Sequence, residues 1–320
     1  MEKIMIGSAE TATVSTKSHS TARLMPLIIL VMLSIIWGMA FVAIKYAEPF
    51  LDPVNLTVLR WFIAGAALLF LAPFLGRMRA RFQIRDLPRF ALVSFANVVA
   101  YHLTLNYSES SISAGLAVLL VAMGPVFILV LSWVFLEERH GKRVIIAVTV
   151  AFAGALILSF GNGVTAGSSS FSGILEAVGT ALSYSAFAVF SKPLVRKYGA
   201  IPFTIWVGLF GTVMLLPLVS GSFISQVSAL PLDGWISMLY LSLASTVLGY
   251  MIFYTLVNRG SVSRLAVQLY LVPLVGVIGG VLILGESISV YTIEGGIAIL
   301  VAVAISTGNM RMNMTLKKPE

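Results

Sequence analysis

The chain has 320 residues, 58% of them hydrophobic and 11% charged, and a mean hydropathy of +0.98. A soluble domain carries about 25% charged residues, so this composition excludes a soluble globular protein and points to an integral membrane protein. The net charge of +8 does not require nucleic acid, because the cations sit in short stretches between apolar runs, and the lack of cysteine excludes disulfides and thiolate metal sites.

Residues 1–25 are rich in Ser and Thr and have no apolar run followed by a small-residue cleavage site, so they are expected to form a disordered tail and not a cleaved signal peptide. Ten apolar segments follow, at about 26–46, 55–75, 89–107, 113–135, 144–160, 172–190, 202–219, 235–256, 264–284 and 290–307. Each approaches the roughly 20 residues that a spanning helix needs. The connections are short and carry turn chemistry, as at Asp52-Pro53, Gly161-Asn162-Gly163, Lys192-Pro193 and Pro231-Leu232-Asp233-Gly234. Residues 308–320 form a second tail.

With ten spans, every Lys and Arg except Lys45 and Arg60 falls on one side. The positive-inside rule places that side, and both termini, in the cytoplasm of a multi-pass protein of the cell (plasma or inner) membrane. Lys45 and Arg60 are expected near the outer surface beside Glu48 and Asp52, snorkelling or forming an external ion-pair cluster.

The chain also repeats itself. Ser113-Ala114-Gly115 runs on to Gly124-Pro125 and Glu137-Glu138, and Ser261-Val262-Ser263 runs on to Val272-Pro273 and Gly285-Glu286. An offset of 148 carries Pro125 onto Pro273 and Glu138 onto Glu286. Nearly the same offset carries Trp37 onto Tyr184 and Tyr101 onto Tyr250. Each copy holds five segments, an odd number, so the copies, 26–160 and 171–307, are expected to be inverted. The fold class is all-α integral membrane, ten helices in two inverted five-helix repeats, with a substrate site near the midplane between them.

Several pieces carry a family resemblance. They are Ile36-Trp37-Gly38 with Phe41 to Lys45, Leu105-Asn106-Tyr107-Ser108, Ala114 to Pro125 with Phe135 to Glu138, and Thr246, Gly249-Tyr250 and the Ser263 to Glu286 run. In order and repeated, they resemble the drug/metabolite transporter superfamily and its EamA-like ten-helix branch, over about residues 27–306. The resemblance implies carriers and exporters of small metabolites, often amino acids and related compounds.

Polar residues at depth usually face protein or water. The third segment has a stripe of Ser94, Asn97, Tyr101, Thr104 and Ser108, and the eighth has Ser242, Thr246, Tyr250 and Tyr254. Steps of three and four place each stripe on one helix face. The stripes are repeat-related and are expected to face each other across a cavity, Asn97 with Thr246 and Tyr101 with Tyr250. Trp37 and its counterpart Tyr184 are candidates for stacking on substrate, and Gln268 for hydrogen bonding it or a carbonyl freed near Pro273. Glu176 is an intramembrane carboxylate and a candidate for proton or cation coupling. His102 is expected to be a packing histidine. Pro125 and Pro273 are candidate hinges.

No nucleophile–base motif and no metal constellation appears, so no catalytic residue, metal or cofactor is expected and the chain does not read as an enzyme. With no Lys or Arg expected at mid-membrane depth, the cavity reads as neutral, aromatic and hydroxyl-rich. That suits export of zwitterionic or neutral metabolites such as amino acids by alternating access. A proton-coupled exporter of drugs or cationic compounds stays open, as does a non-transporting receptor or scaffold. The expected partners are a small-molecule substrate, the lipid bilayer and, where Glu176 couples, protons, in a monomer or homodimer without nucleic acid.

Overall fold

In the computed structural model the described residues are 28–74, 82–136, 143–161, 169–258 and 262–315, without the side chains of 136, 143–144, 160, 169, 256–258, 262–270 and 306–315. All regular structure among them is helical.

The first two helices are α1 (Ile28–Ala47) and α2 (Pro53–Leu71). Asp52 starts α2: its carboxylate accepts the Val54 and Asn55 amides at 3.0 and 2.9 Å, and Pro53 has no amide to satisfy. A 3₁₀ turn (Ile84–Asp86) leads into α3 (Leu87–Ser94), a π-helical turn (Phe95–Ala100) and α4 (Tyr101–Glu109). Next come α5 (Ala114–Val121), α6 (Gly124–Leu136), α7 (Arg143–Gly161), α8 (Ser169–Tyr198) and α9 (Ala200–Leu215). The short α10 (Phe223–Ser228) precedes α11 (Leu232–Leu239), which passes through a π-helical stretch (Tyr240–Leu248) into α12 (Gly249–Asn258). The last two helices are α13 (Val262–Leu284) and α14 (Val290–Thr315).

The described residues of the predicted apolar segments are mostly helical. Among the described residues six helices are long and apolar enough by themselves to cross a bilayer, while Ile145–Ser159, Leu271–Leu284 and Val290–Ile305 are shorter apolar helices. Four local expectations change. Pro231-Leu232-Asp233-Gly234 is not a turn: Pro231 is the N-cap and α11 starts at Leu232. Lys192-Pro193 is not a turn: α8 runs through it to Tyr198, with Pro193 inside the helix. Pro125 is not in mid-helix, because the helix breaks at 122–123 and Pro125 is the second residue of α6. The helix α10, unmarked by any long apolar run, covers the start of α2, where Gln226 Oε1 accepts the Asp52 amide at 3.1 Å and Asn55 Nδ2 at 2.9 Å. Of the Gly161-Asn162-Gly163 turn, Asn162 and Gly163 lie outside the described residues.

The bundle is apolar outside and carries its polar residues within a largely apolar interior. Leu69, Phe70, Phe135, Ile145, Leu282 and Ile297 are exposed, while Asn55, Thr57, Asn97, His102, Asn106, Ser242 and Thr246 are buried. Hydrocarbon explains this: apolar side chains lose nothing by facing lipid, whereas polar groups must find partners inside. They do so between helices. Asn106 Nδ2 donates to Thr57 Oγ1 at 2.8 Å, the Thr104 and Thr180 hydroxyls meet at 2.8 Å, and Thr212 Oγ1 donates to the Trp61 carbonyl at 3.1 Å.

Two apolar clusters flank the polar seam. One contains Phe41, Ile44, Leu116, Leu120, Met123, Leu158 and Ile299, and the other Trp61, Phe90, Phe187, Phe203 and Tyr254. α8 joins both, through Ala177 and Ala181 to the first and Phe187 and Leu194 to the second. Small residues let backbones approach. Gly38 on α1 faces α13 so closely that an added Cβ would lie 2.8 Å from the Val272 carbonyl oxygen. Ser185 on α8 donates to the Gly124 carbonyl on α6 at 2.8 Å. Ser185 is the repeat counterpart of Gly38 and Gly124 that of Val272, so the same helix contact occurs twice.

At the far end of the bundle from Asp52, Asp86 Oδ2 accepts Lys197 Nζ at 2.5 Å and the Tyr198 hydroxyl at 2.6 Å. The Lys197 ammonium, and then the Tyr198 hydroxyl, hold the Asp86 carboxyl below its ordinary value. A depressed carboxylate contributes stability above its unfolded pKa, about 3.9, and loses it as pH falls through the lower folded value. We therefore expect Asp86→Asn to melt below the wild type at neutral pH and the gap to narrow below about pH 4. Thermal unfolding in detergent across this range checks it, and a gap independent of pH overturns it.

Candidate functional site

The site is built where α2, the α3–α4 helix and the α11–α12 helix meet. Both π-helical stretches lie here, at corresponding places in the two repeats. Each displaces one turn of backbone hydrogen bonding, and a side chain takes up a carbonyl five residues back. His102 Nδ1 lies 2.9 Å from the Asn97 carbonyl oxygen, and Thr246 Oγ1 donates to the Leu241 carbonyl at 2.8 Å. Such turns recur at functional sites.

The polar groups then pair across the seam. The Tyr250 hydroxyl donates to Asn97 Oδ1 at 3.1 Å. Arg60 Nε donates to Thr246 Oγ1 at 3.0 Å and its Nη2 to Ser245 Oγ at 3.3 Å. Trp37 Nε1 donates to the Ser245 carbonyl at 3.0 Å. Asn97, Thr246, Tyr250 and Tyr254 line one enclosed cavity with Trp61, Phe187 and Phe203, and its volume of about 10 Å³ leaves room for roughly one water centre.

The stripes thus meet, but Asn97 bonds Tyr250 while Thr246 is taken by Arg60. Tyr101 sits beside Tyr184, ring centroids 6.4 Å apart, and Tyr184 lies against Gly124, where an added Cβ would be 3.0 Å from the ring. Trp37 packs on Tyr250 and Phe253 at 5.9 and 5.3 Å. Trp37, Tyr101, Tyr184 and Tyr250 are only half-buried although they lie inside the bundle. Tyr254 is buried among Phe187, Phe203 and Phe253, and its hydroxyl has no partner. His102 is buried edge-on to Trp61 at 5.2 Å. Pro273 lies within α13, and the side chain of Gln268 on that helix lies outside the described residues. Glu176 lies two turns into α8, half-buried, with its carbonyl accepting Thr180 Oγ1 at 2.9 Å.

The structure corrects one expectation outright. Lys45 does pair with Glu48, at 3.1 Å, and also donates to the Glu109 carbonyl. Arg60 does not join that cluster or snorkel: it is 4% exposed and turned into the bundle, so the interior is not devoid of cations. The reason is local. Thr246 and Ser245 offer hydroxyls to the guanidinium where the lipid face offers none. Arg60 was marked in the sequence as one of two cations on the cation-poor side, within an apolar run. Glu109 was also missed. The third helix extends two residues past the predicted segment and carries this carboxylate fully inside, with neither oxygen hydrogen-bonded.

A guanidinium, two hydroxyls, an amide and several rings can bind a small amphiphile non-covalently. Comparisons with known proteins give the family. The model of the EamA-like transporter family matches residues 24–160 and again 171–308. An uncharacterized transporter of Archaeoglobus fulgidus is 30% identical over 87% of this chain and 97% of its own length. A protein of Streptantibioticus cattleyicolor named "Probable terminal-alkyne amino-acid exporter" is 32% identical over 83% of this chain and 88% of its own. An Escherichia coli protein named "Probable amino-acid metabolite efflux pump" is 25% identical over 88% and 95%. One crystal structure shares the fold at 16% identity, with a TM-score of 0.61 over 90% of this chain and 98% of that one. These relatives are named as transporters and efflux pumps, not enzymes. This chain, a multi-pass membrane protein, belongs to the EamA-like transporter family.

Proposed function

We propose that the protein exports small zwitterionic or neutral metabolites of amino-acid type by alternating access, through ten spans arranged as two inverted five-helix repeats, 26–160 and 171–307. In this reading both termini face the cytoplasm of the cell membrane, and helices bend beside Pro125 and Pro273 as the repeats rock. The Gly38·Val272 and Ser185·Gly124 contacts and the paired π-helical turns support inversion, because each recurs at the repeat offset. The observation that carries the substrate reading is the buried seam, Asn97 to Tyr250 and Arg60 to Thr246, which joins the two family matches around half-buried rings. The names of the relatives support amino-acid chemistry.

A cationic substrate is disfavoured by the Arg60 charge at the seam. Proton coupling is a second reading, favoured by Glu109, whose buried oxygens lack partners, with the half-buried Glu176 as the other carboxylate. A pH jump in proteoliposomes separates the readings: flux indifferent to the proton gradient excludes antiport.

The test of the main reading is flux of an amino-acid panel in proteoliposomes. Tyr250→Phe leaves Asn97 Oδ1 without its donor, which costs about 1–3 kcal/mol and predicts a roughly five- to hundredfold drop in flux. Trp37→Ala removes a ring from the seam and is expected to cut flux at least about tenfold. Wild-type flux in both variants would exclude the seam as the path.

A further inference from the structure

Arg60 is a buried cation with no ion-pair partner among the described residues. It lies seven residues inside α2 and is 4% exposed. Two of its three nitrogens hold neutral partners, Thr246 Oγ1 and Ser245 Oγ, and Nη1 has no partner at all. Among the described residues no carboxylate forms an ion pair with it. Glu109 is the carboxylate within its electrostatic reach, and both Glu109 oxygens are unbonded. A desolvated cation without an anion is costly, and proteins retain one where something else supplies the anion.

The surroundings say what the anion belongs to. Tyr101, Tyr240 and Tyr250, all half-buried, are ring neighbours in the field of Arg60. Thr246, which receives Nε, also lines the cavity with Asn97, Tyr250 and Tyr254. The two hydroxyls fix the guanidinium plane without neutralising it. A planar fork held this way matches a carboxylate, which accepts from two nitrogens at once. An apolar or aromatic side chain on the same molecule would lie against Trp37, Tyr101 or Tyr184.

We propose that Arg60 anchors the carboxylate of the transported molecule, taking it on the free Nη1 and on Nη2 and exchanging the Ser245 contact for it. This deepens the reading above and rests on it. The substrate class narrows to molecules with a free carboxylate, and amides or esters of the same skeleton bind more weakly.

The test measures binding to the full-length protein in detergent by titration calorimetry, with L-leucine, L-phenylalanine, L-leucinamide and L-phenylalaninamide as probes. In the wild type at least one acid is expected to bind about 10- to 100-fold tighter than its amide, the range of a charge-assisted hydrogen bond. Arg60→Gln is expected to erase that preference while amide binding stays within about threefold. Arg60→Lys keeps the charge and loses the fork, and is expected to keep part of the preference. Acid and amide bound equally by the wild type overturn the anchor and leave the amino-acid reading standing. An unchanged ratio in a folded Arg60→Gln variant does the same. Binding of none of the four probes overturns the amino-acid reading and the anchor with it. The wild-type comparison needs no variant to fold.

Discussion

Gly295→Leu is expected to cost about 3 kcal/mol or more and to leave little correctly folded protein. α7 and α14 cross at Gly154 and Gly295. A Cβ on Gly295 would lie 2.7 Å from the Gly154 carbonyl oxygen and 2.9 Å from the Leu158 amide nitrogen, and one on Gly154 would lie 2.8 Å from the Gly295 carbonyl oxygen. These are backbone atoms, which cannot turn aside as a side chain can. In hydrocarbon the helices are held by such close packing and not by apolar burial, so separating them forfeits most of the contact. Gly221→Ala is the control, since nothing lies within 4 Å of its Cβ position, and it should stay within about 0.5 kcal/mol. Size-exclusion profiles and melting in detergent read both. A monodisperse Leu variant with the wild-type melting temperature would sink the argument.

Glu286→Ala is expected to loosen the end of the bundle near Asp52. Glu286 Oε1 accepts the Ala114 amide at 2.7 Å and Oε2 the Gly115 amide at 2.9 Å, so one carboxylate satisfies two orphan donors at the start of α5. The chain reaches this position because Gly285 adopts φ +70°, which returns the Glu286 amide to the Gly280 carbonyl at 3.0 Å. Gly280 also gives the carboxylate its seat: an added Cβ there would lie 2.5 Å from Oε2. Each charge-assisted bond is worth about 1.5–3 kcal/mol, so the Ala variant should lose about 3 kcal/mol at this contact and Glu286→Gln less, since it keeps one acceptor. The chain has no cysteine, so Ile112→Cys, at a position 7% exposed, gives a single reporter two residues before α5. Maleimide labelling should speed up in the Ala variant, and an unchanged rate refutes the latch.

Much of the helical content was readable because apolar runs near bilayer length have few other outcomes. The stripe residues were readable for a related reason: Asn97 and Tyr101, or Thr246 and Tyr250, share a face of one local helix. Pairing between the stripes was not. Two π-helical turns shift the register, so the Tyr250 hydroxyl reaches Asn97 while Thr246 is left for Arg60. The break before Pro125 and the unbroken passage through Pro193 were equally hidden, because a proline marks a lost hydrogen bond and neighbouring helices decide whether the helix survives it.

Local chemistry along the chain was enough for the membrane class, the helical segments and the internal repeat. Hydropathy, cation placement and offset are properties of residues near one another or of simple periodicity. The fate of Arg60 and Glu109 is of another kind. Arg60 stands seven residues from the start of its helix, within snorkelling distance of an end, and Glu109 two residues beyond an apolar segment. Each became a buried ionisable group because partners or walls from distant parts of the chain surround it, Ser245 and Thr246 for Arg60 and Lys45 for the Glu109 backbone. A charge in a membrane helix settles wherever its desolvation is best offset, and that choice exists only once the other helices are in place.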